Sequence, residues 1–478
     1  VADVVKTDRY ARENARPFDP QWIAGTPRLA EFLDGLCADL TAARVKPHKA
    51  DARPRFEAAI KAIVLDLFRA RKSDPTLEVG IGTGRTAVQG LCRSRYGASF
   101  LSARTFVDAV KALEAAGLIV ISTPHWDDPA KKYSRVARYM ATPSLMGGID
   151  RAGASVVDLR RHPNAEGIRM KDSEKRPVEY GDDAYANAAR DRLRIINDML
   201  ESHWADLALT DEQLAQELKR IDGTRDDEAA QSFDFAARTV YRVFNNDDWE
   251  QGGRFYGAWW ISIPSHLRRH ILIDGKRTVE VDYSGIHPAM LFALAGKDIP
   301  TDPYARCVTN KGNEDERKLV KKTFNALLNA DSVKGVKKIK KYDETLTGRN
   351  WEDFKRFIVD SYPECAGHFG TGAGLRLQRM DSDLAEAVML RFARMGYACL
   401  PVHDSFIVHH DMLDGLEDTM KAVFKDMFGV GNKVEFDMGE GENVEPSEDP
   451  IAPDIAALLE PDGYEGRLQA FWASREPH

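Results

Sequence analysis

The chain has 478 residues, with 67 Lys and Arg against 75 Asp and Glu, for a formal charge of −8. That length exceeds one ordinary core and points to two or three domains. An apolar fraction of 43% excludes a disordered chain. Five scattered cysteines (Cys37, Cys92, Cys307, Cys365, Cys399) without CxxC spacing exclude a disulfide frame and a zinc ribbon. The first residues are charged and lack an apolar signal core, and no window nears about 18 uninterrupted apolar residues. The expected setting is the cytoplasm, with no membrane partner.

Net negative charge argues at first sight against a nucleic-acid partner, but the charge is unevenly placed. Residues 434–465 hold 11 acidic residues and no Lys or Arg, which leaves +3 for the rest of the chain. The stretch 434–478 is expected to be an acidic C-terminal segment, either a solvated tail or a mimic that competes with nucleic acid for a cleft.

Residues 1–50 read as a polar N-terminal arm with a short helical stretch at 29–40. FEAAIKAIVLDLFRAR (56–71) spaces its apolar residues as an amphipathic helix does. VGIGTGRTAVQG (79–90) lacks both the GK[ST] of a phosphate loop and the Rossmann spacing, so it reads as a loop between helices. Ser102 can cap a helix over ARTFVDAVKALEAAG, with Gly117 as its stop. A strand, LIVIS (118–122), follows, then a polar turn at Asp127-Asp128-Pro129 and a return segment, KKYSRVARYMATP. Lys131, Lys132, Arg135 and Arg138 would place cations beside a phosphate backbone, and Arg104 and Thr105 sit near the helix start. A solvated hairpin or a protein contact would use the same charges. The order of elements and LSARTFVDAVKALEAAGLIVIS resemble a winged helix-turn-helix, which implies a duplex-DNA-binding domain at 51–149.

Residues 150–182 are polar and read as a linker. From 183 to 251 the pattern is mainly helical. DRLRIINDMLESHWADLAL carries a long apolar stripe, and Thr210 with Gln213 forms a capping-box pattern.

Four segments carry the chemistry. GGRFYGAWWISIP (252–264) comes first. TVEVDYSGIHPAMLFALAG (278–296) delivers Asp282 to the end of a short strand, before a helix with Pro288 in its first turn. ERKLVKKTFNALLNA (316–330) sets Arg317, Lys321 and Asn325 along one helical face. YACLPVHDSFIVHH (397–410) reads as strand, tight turn, strand, with His403-Asp404-Ser405 at the turn. Two strand-end aspartates that converge make a hard oxygen site suited to magnesium. Cations on a facing helix would complement a triphosphate. Phosphoryl or nucleotidyl transfer is the matching chemistry. HDSFIVHHD also offers zinc ligands, but adjacent His409 and His410 in a strand would point to opposite faces.

In this order the segments resemble the family A DNA polymerases and the related single-subunit RNA polymerases. Asp282-Tyr283-Ser284 matches motif A, Arg317-x-x-x-Lys321 the motif B helix, and His403-Asp404-Ser405 motif C. Gly253-Arg254 with Ile263-Pro264 matches the GR…IP element, and LQRMDSDLAEAVM (377–389) the helix between motifs B and C. The resemblance implies an α+β right-hand fold, with palm and small fingers at 252–433 and a helical thumb-like region at 183–251. It makes Asp282, Asp404 and the Tyr283 carbonyl ligands of two Mg²⁺, with Mn²⁺ as a substitute. Arg317, Lys321, His287, Asn325 and Asn329 would face the nucleotide. Arg254, Gln378 and His403 would face the primer–template.

The departures are specific. His287 stands where the DNA enzymes carry a Glu that excludes the 2′-hydroxyl. Asn325 and Asn329-Ala330 replace an aromatic and a Tyr-Gly, so the platform beneath the base pair is missing or supplied by Phe324. Nothing before residue 240 resembles a proofreading nuclease. The first expectation is a template-directed DNA polymerase without proofreading, serving a mobile element, with primer–template DNA, nucleoside triphosphates and duplex DNA as partners. An RNA polymerase or primase is the second, favoured by Ser405. A non-catalytic, DNA-binding replication initiator is the third.

Overall fold

A computed structural model describes residues 14–45, 48–128, 133–224, 233–310, 312–340, 342–437 and 463–475, and its fold is mixed α+β. The chain opens with strands β1 (Ala15–Pro17) and β2 (Trp22–Ala24) and helices α1 (Pro27–Ala42) and α2 (Arg53–Ser73). Strand β3 (Glu78–Gly80), helices α3 (Arg85–Arg93) and α4 (Ala103–Ala115), and strands β4 (Ile119–Thr123), β5 (Trp126–Asp128), β6 (Tyr133–Arg135) and β7 (Arg138–Ala141) follow. Strands β1, β3, β7 and β4 form one sheet in that order, and β5 pairs with β6.

The expected N-terminal arm is part of this core. Helix α1 buries Leu29, Leu33, Cys37 and Leu40, which recur every three or four residues and so share one face. In α2 the buried Asp66 holds Arg16 of β1 at 2.7 Å, which ties the first strand down. A short strand, β3, does precede the glycine-rich stretch, and α3 leaves it at Gly84. Helix α4 stops at Gly117 (φ +68), where Leu118 N–H donates to the Leu113 carbonyl at 3.0 Å.

Residues 150–182 are not a linker. They carry strands β8 (Leu159–Arg161), β9 (Ile168–Lys171) and β10 (Pro177–Val178), after helix α5 (Pro143–Arg151). Val156, Val157, Leu159, Ile168 and Met170 are buried there, and β8 pairs with β2. The polar composition goes into ion pairs: Arg28 with Asp158 at 2.8 Å, and Arg190 with Glu166 at 3.0 Å.

Helix α6 (Ala184–Ser202) is capped by the Asp183 side chain. Strand β11 (Ala205–Leu207), helix α7 (Asp211–Thr224) and strands β12 (Tyr241–Asn245) and β13 (Asp248–Tyr256) come next. The region 183–251 is therefore not simply helical: β11 joins the central sheet, while β12 and β13 extend a sheet with β9 and β10. Thr210 and Gln213 do exchange the two hydrogen bonds of a capping box.

Strands β14 (Ile271–Ile273) and β15 (Lys276–Tyr283) turn through Asp274-Gly275, both at positive φ, as a two-residue hairpin needs. Helices α8 (Ile286–Leu294), α9 (Glu314–Asn329), α10 (Trp351–Ser361) and α11 (Gly374–Met395) lead to strands β16 (Leu400–Val402) and β17 (Ser405–His409). Helix α12 (Leu413–Phe428), strand β18 (Val434–Asp437) and helix α13 (Gly463–Ala473) complete the described chain. The central sheet runs β11-β14-β15-β17-β16, with β18 also paired to β15.

The expected acidic tail is structured at both ends. β18 lies against β15, and α13 docks through a buried Arg467–Asp206 pair at 2.7 Å and a Phe471–Trp204 contact at 5.3 Å. Residues 438–462 lie outside the described residues. No described helix is long and apolar enough to cross a membrane.

Candidate active site

Strand β15 buries Val281 and Tyr283 on one face and turns Glu280 and Asp282 to the other. Its antiparallel register sets Asp282 opposite Ser405, the first residue of β17. Ser405 also pairs with Val402 of β16, so His403-Asp404 is a two-residue turn, with His403 at φ +59. Asp404 is thereby held at the end of the hairpin beside the end of β15, and Tyr283 N–H points to its carbonyl at 3.4 Å. Gly285 (φ +53) lets the chain turn from Ser284 into α8. A Cβ there would meet Pro303 Cγ at 2.6 Å.

The two carboxylates are electrostatically linked. Burial first, and then the Asp404 charge, pushes Asp282 up to about 8, while Lys321 pulls the other way. Asp282 Oδ1 is buried without a hydrogen-bond partner among the described residues. Glu280 and Glu435 add negative charge. Glu435 of β18 pairs directly with Asp282 and accepts a bond from Ser284 Oγ at 2.8 Å. Ser405 Oγ donates to Glu280 Oε1 at 2.5 Å. An orphaned carboxylate oxygen amid further oxygen donors fits a divalent cation. Asp282 and Asp404 would hold it, with Glu435 alongside.

A second cluster borders this one. Asp381 of α11, only 3% exposed, receives Arg254 of β13 at 2.5 Å and His287 Nε2 of α8 at 2.9 Å. The Asp404 charge also reaches Arg254. His403 packs on Tyr256 with ring centroids 6.1 Å apart, and its buried Nδ1 has no partner. Burial, then the Arg254 charge, holds the His403 ring below its ordinary range. Buried Tyr304 feels both Asp404 and Asp282, and burial raises its hydroxyl above the usual range.

Helix α9 divides the expected nucleotide-facing residues. Lys321 is exposed and acts on Asp282. Arg317 is instead bound to Asp302 by two bonds at 2.7 and 3.1 Å. Asn325 Oδ1 is buried and unpartnered, while Asn329 Nδ2 donates back to the Asn325 carbonyl at 2.7 Å. Asn329 also packs against Gly374, where a Cβ would meet its Oδ1 at 2.0 Å. Phe324 is fully buried among Tyr304, Tyr362 and Phe369, so it is no platform for a base. Gln378 is partly exposed on α11.

At the N-terminal sheet, Arg104 is exposed and Arg135 lies on β6. Thr105 is not exposed: it is 2% accessible and shares a 2.6 Å contact with Ser102 Oγ. Arg138 is buried on Glu78 at 3.0 Å. Lys131 and Lys132 lie outside the described residues. His409 and His410 do not diverge as strand neighbours would, because β17 ends at His409. Their rings stand 4.6 Å apart, beside Asp411.

Sequence reasoning missed Asp381, Asp302, Tyr304 and Glu435. Asp302 and Tyr304 belong to no short motif, and Asp381 lies in the 377–389 segment, where only Gln378 was singled out. Glu435 is one carboxylate within a uniformly acidic stretch.

No protein-family model and no curated protein matches this chain. A solved structure, the POL domain of Pol1 from M. smegmatis in complex with DNA primer-template and dNTP, aligns at 12% identity. The alignment covers 91% of this chain and 68% of that one, with a TM-score of 0.30. At that score the likeness assigns no residue and no activity.

Proposed function

We propose that this chain is a template-directed nucleotidyltransferase, a DNA polymerase without proofreading. The Asp282–Asp404 pair, with its orphaned oxygen and facing Lys321, is the observation that carries the reading. Residues 252–433 act as palm and small fingers. The unit at 51–149 acts as a winged helix that brings the enzyme to duplex DNA through Arg104 and the β5–β6 hairpin. Replication of a mobile element suits that pairing.

Magnesium, when bound by Asp282 and Asp404, supplies Lewis acidity for a hydroxyl attacking a phosphoryl group. Lys321 binds the triphosphate as a point charge. Arg254, oriented by Asp381, and His403 position the primer end. His287 is pinned to the same carboxylate and borders the sugar. Glu435 extends the acidic edge beside Asp282.

The test is extension of a labelled primer–template with dNTPs or rNTPs, with and without Mg²⁺, by wild type, Asp282→Ala and Asp404→Ala. Extension by wild type alone is expected. Equal extension by all three would sink the reading. His287 at the sugar side and Ser405 after Asp404 favour a second reading, an RNA polymerase or primase. Extension with rNTPs alone would establish it.

A further inference from the structure

A cavity of about 610 Å³ lies between β8, β9, helix α6 and the start of β12, away from the carboxylate pair. Five arginines line it (Arg160, Arg161, Arg169, Arg190 and Arg194) against three carboxylates, Glu166, Asp198 and Glu201. Glu166 is already taken by Arg190 at 3.0 Å and Arg95 at 3.4 Å. Arg161 is paired with Asp19, and Arg194 with Asp191 at 2.8 Å. Among the described residues, neither Arg160 nor Arg169 has an ion-pair partner. Arg169 Nε is buried without a hydrogen-bond acceptor. Its guanidinium lies over Tyr241, 3.5 Å from the ring centroid. The Arg160 stem runs over Gly25, where a Cβ would meet Arg160 Cγ at 2.6 Å. Arg238 and Arg475 feel the charges of both Arg160 and Glu201.

An aromatic line leads from this cavity to the carboxylates. Tyr241 is followed by Tyr256 at 6.3 Å, and Tyr256 by His403 at 6.1 Å, next to Asp404. Unpaired cations and successive rings along one track are what a single strand of nucleic acid needs, because phosphates take the charges and bases stack on the rings. A guanidinium laid on a ring keeps its edge free for a phosphate.

We propose that this cavity binds the phosphodiester backbone of a single nucleic-acid strand through Arg160 and Arg169, and that Tyr241 and Tyr256 carry that strand to the Asp282–Asp404 site. The strand's destination rests on the nucleotidyl-transfer reading; its binding does not.

The test uses the full chain without divalent metal and a short fluorescein-labelled oligodeoxythymidine, with anisotropy read across a KCl series. Each lost phosphate contact lowers the log–log salt slope by about 0.7, so Arg160→Ala/Arg169→Ala should lower it by about 1.4. Single Arg160→Ala, whose head group makes no bond among the described residues, should lower it by about 0.7 and keeps the test open if the double variant misfolds. Arg169→Lys should hold the slope while weakening binding. Pyrophosphate and dTTP at oligonucleotide-equivalent phosphate should not displace the strand. Displacement by either would make this a small-anion site and overturn the proposal. An unchanged slope in Arg160→Ala, with primer extension intact, would also overturn it and leave the nucleotidyl-transfer reading standing. A reduced slope in a protein that extends nothing would keep the strand site and remove the activity.

Discussion

Arg254 is held by Asp381, its Nη2 2.5 Å from Oδ2. The same oxygen takes His287 Nε2 at 2.9 Å, so one nearly inaccessible carboxylate fixes side chains from β13 and α8. Removing one partner of such a pair leaves an uncompensated buried charge. Asp381→Asn should cost about 3 kcal/mol of stability, read by urea denaturation. It should also weaken primer–template binding more than nucleotide binding. Equal losses of both, scaled to unfolding, would make Asp381 merely structural.

Asp282 offers a test of opposite sign. Its folded value of about 8 stands above its ordinary 3.8, so the metal-free fold holds the proton longer than the unfolded chain. This group therefore takes stability away as pH climbs through the window between those values. Asp282→Asn should raise the stability of the metal-free protein at pH 8 by more than about 1 kcal/mol, while abolishing nucleotidyl transfer. Thermal denaturation in chelator at pH 5 and pH 8 reads the difference. A variant no more stable than wild type at pH 8 would contradict it.

Arg317 and Lys321 of α9 should not be equivalent. Arg317 is tied to Asp302 by two bonds, whereas Lys321 is exposed beside Asp282. A charge-assisted contact contributes about 1.5–3 kcal/mol, so Lys321→Ala should raise the nucleotide KM about tenfold or more. Arg317→Ala should change it far less. Steady-state kinetics on both variants decides, and a larger effect at Arg317 would reverse the assignment.

The N-terminal arginines separate in the same way. Arg138 is buried on Glu78 at 3.0 Å and joins β7 to β3. Arg138→Ala should destabilise the fold by about 3 kcal/mol. Arg104→Ala should leave stability nearly unchanged and lower the salt slope of duplex binding by about 0.9. The reverse pattern would remove α4 from the DNA interface.

Much of this was readable in the sequence. Asp282 and Asp404 sit where strand ends and a tight turn were expected, because apolar runs beside a turn dipeptide leave few alternatives. Helices α2 and α4 followed from apolar spacing. Residues 150–182 were misread because their strands have only two to four residues and lie among many charged side chains, several of them in ion pairs such as Arg28–Asp158 and Arg190–Glu166, so composition resembled solvated chain. Phe324 looked available because a sequence does not say which face of α9 meets Tyr304 and Tyr362. Arg317 and Thr105 look like free polar groups until Asp302 and Ser102 are placed beside them. The sheet role of β18 was masked: VEFD alternates apolar and polar residues as a strand does, but over only four positions at the start of an acidic stretch.

Strand β18 has a consequence for how the protein is made. It pairs with Glu280–Tyr283 across a gap of about 150 residues, and those are the residues that lead into Asp282. A ribosome releases β15 long before it reaches Val434, so the growing chain presents an open sheet edge at the strand that carries Asp282. A contact so distant in sequence closes late. The nascent chain therefore stays without Glu435 beside Asp282 until translation has passed residue 437, and a product stopped before it would carry Asp282 on an uncapped strand edge.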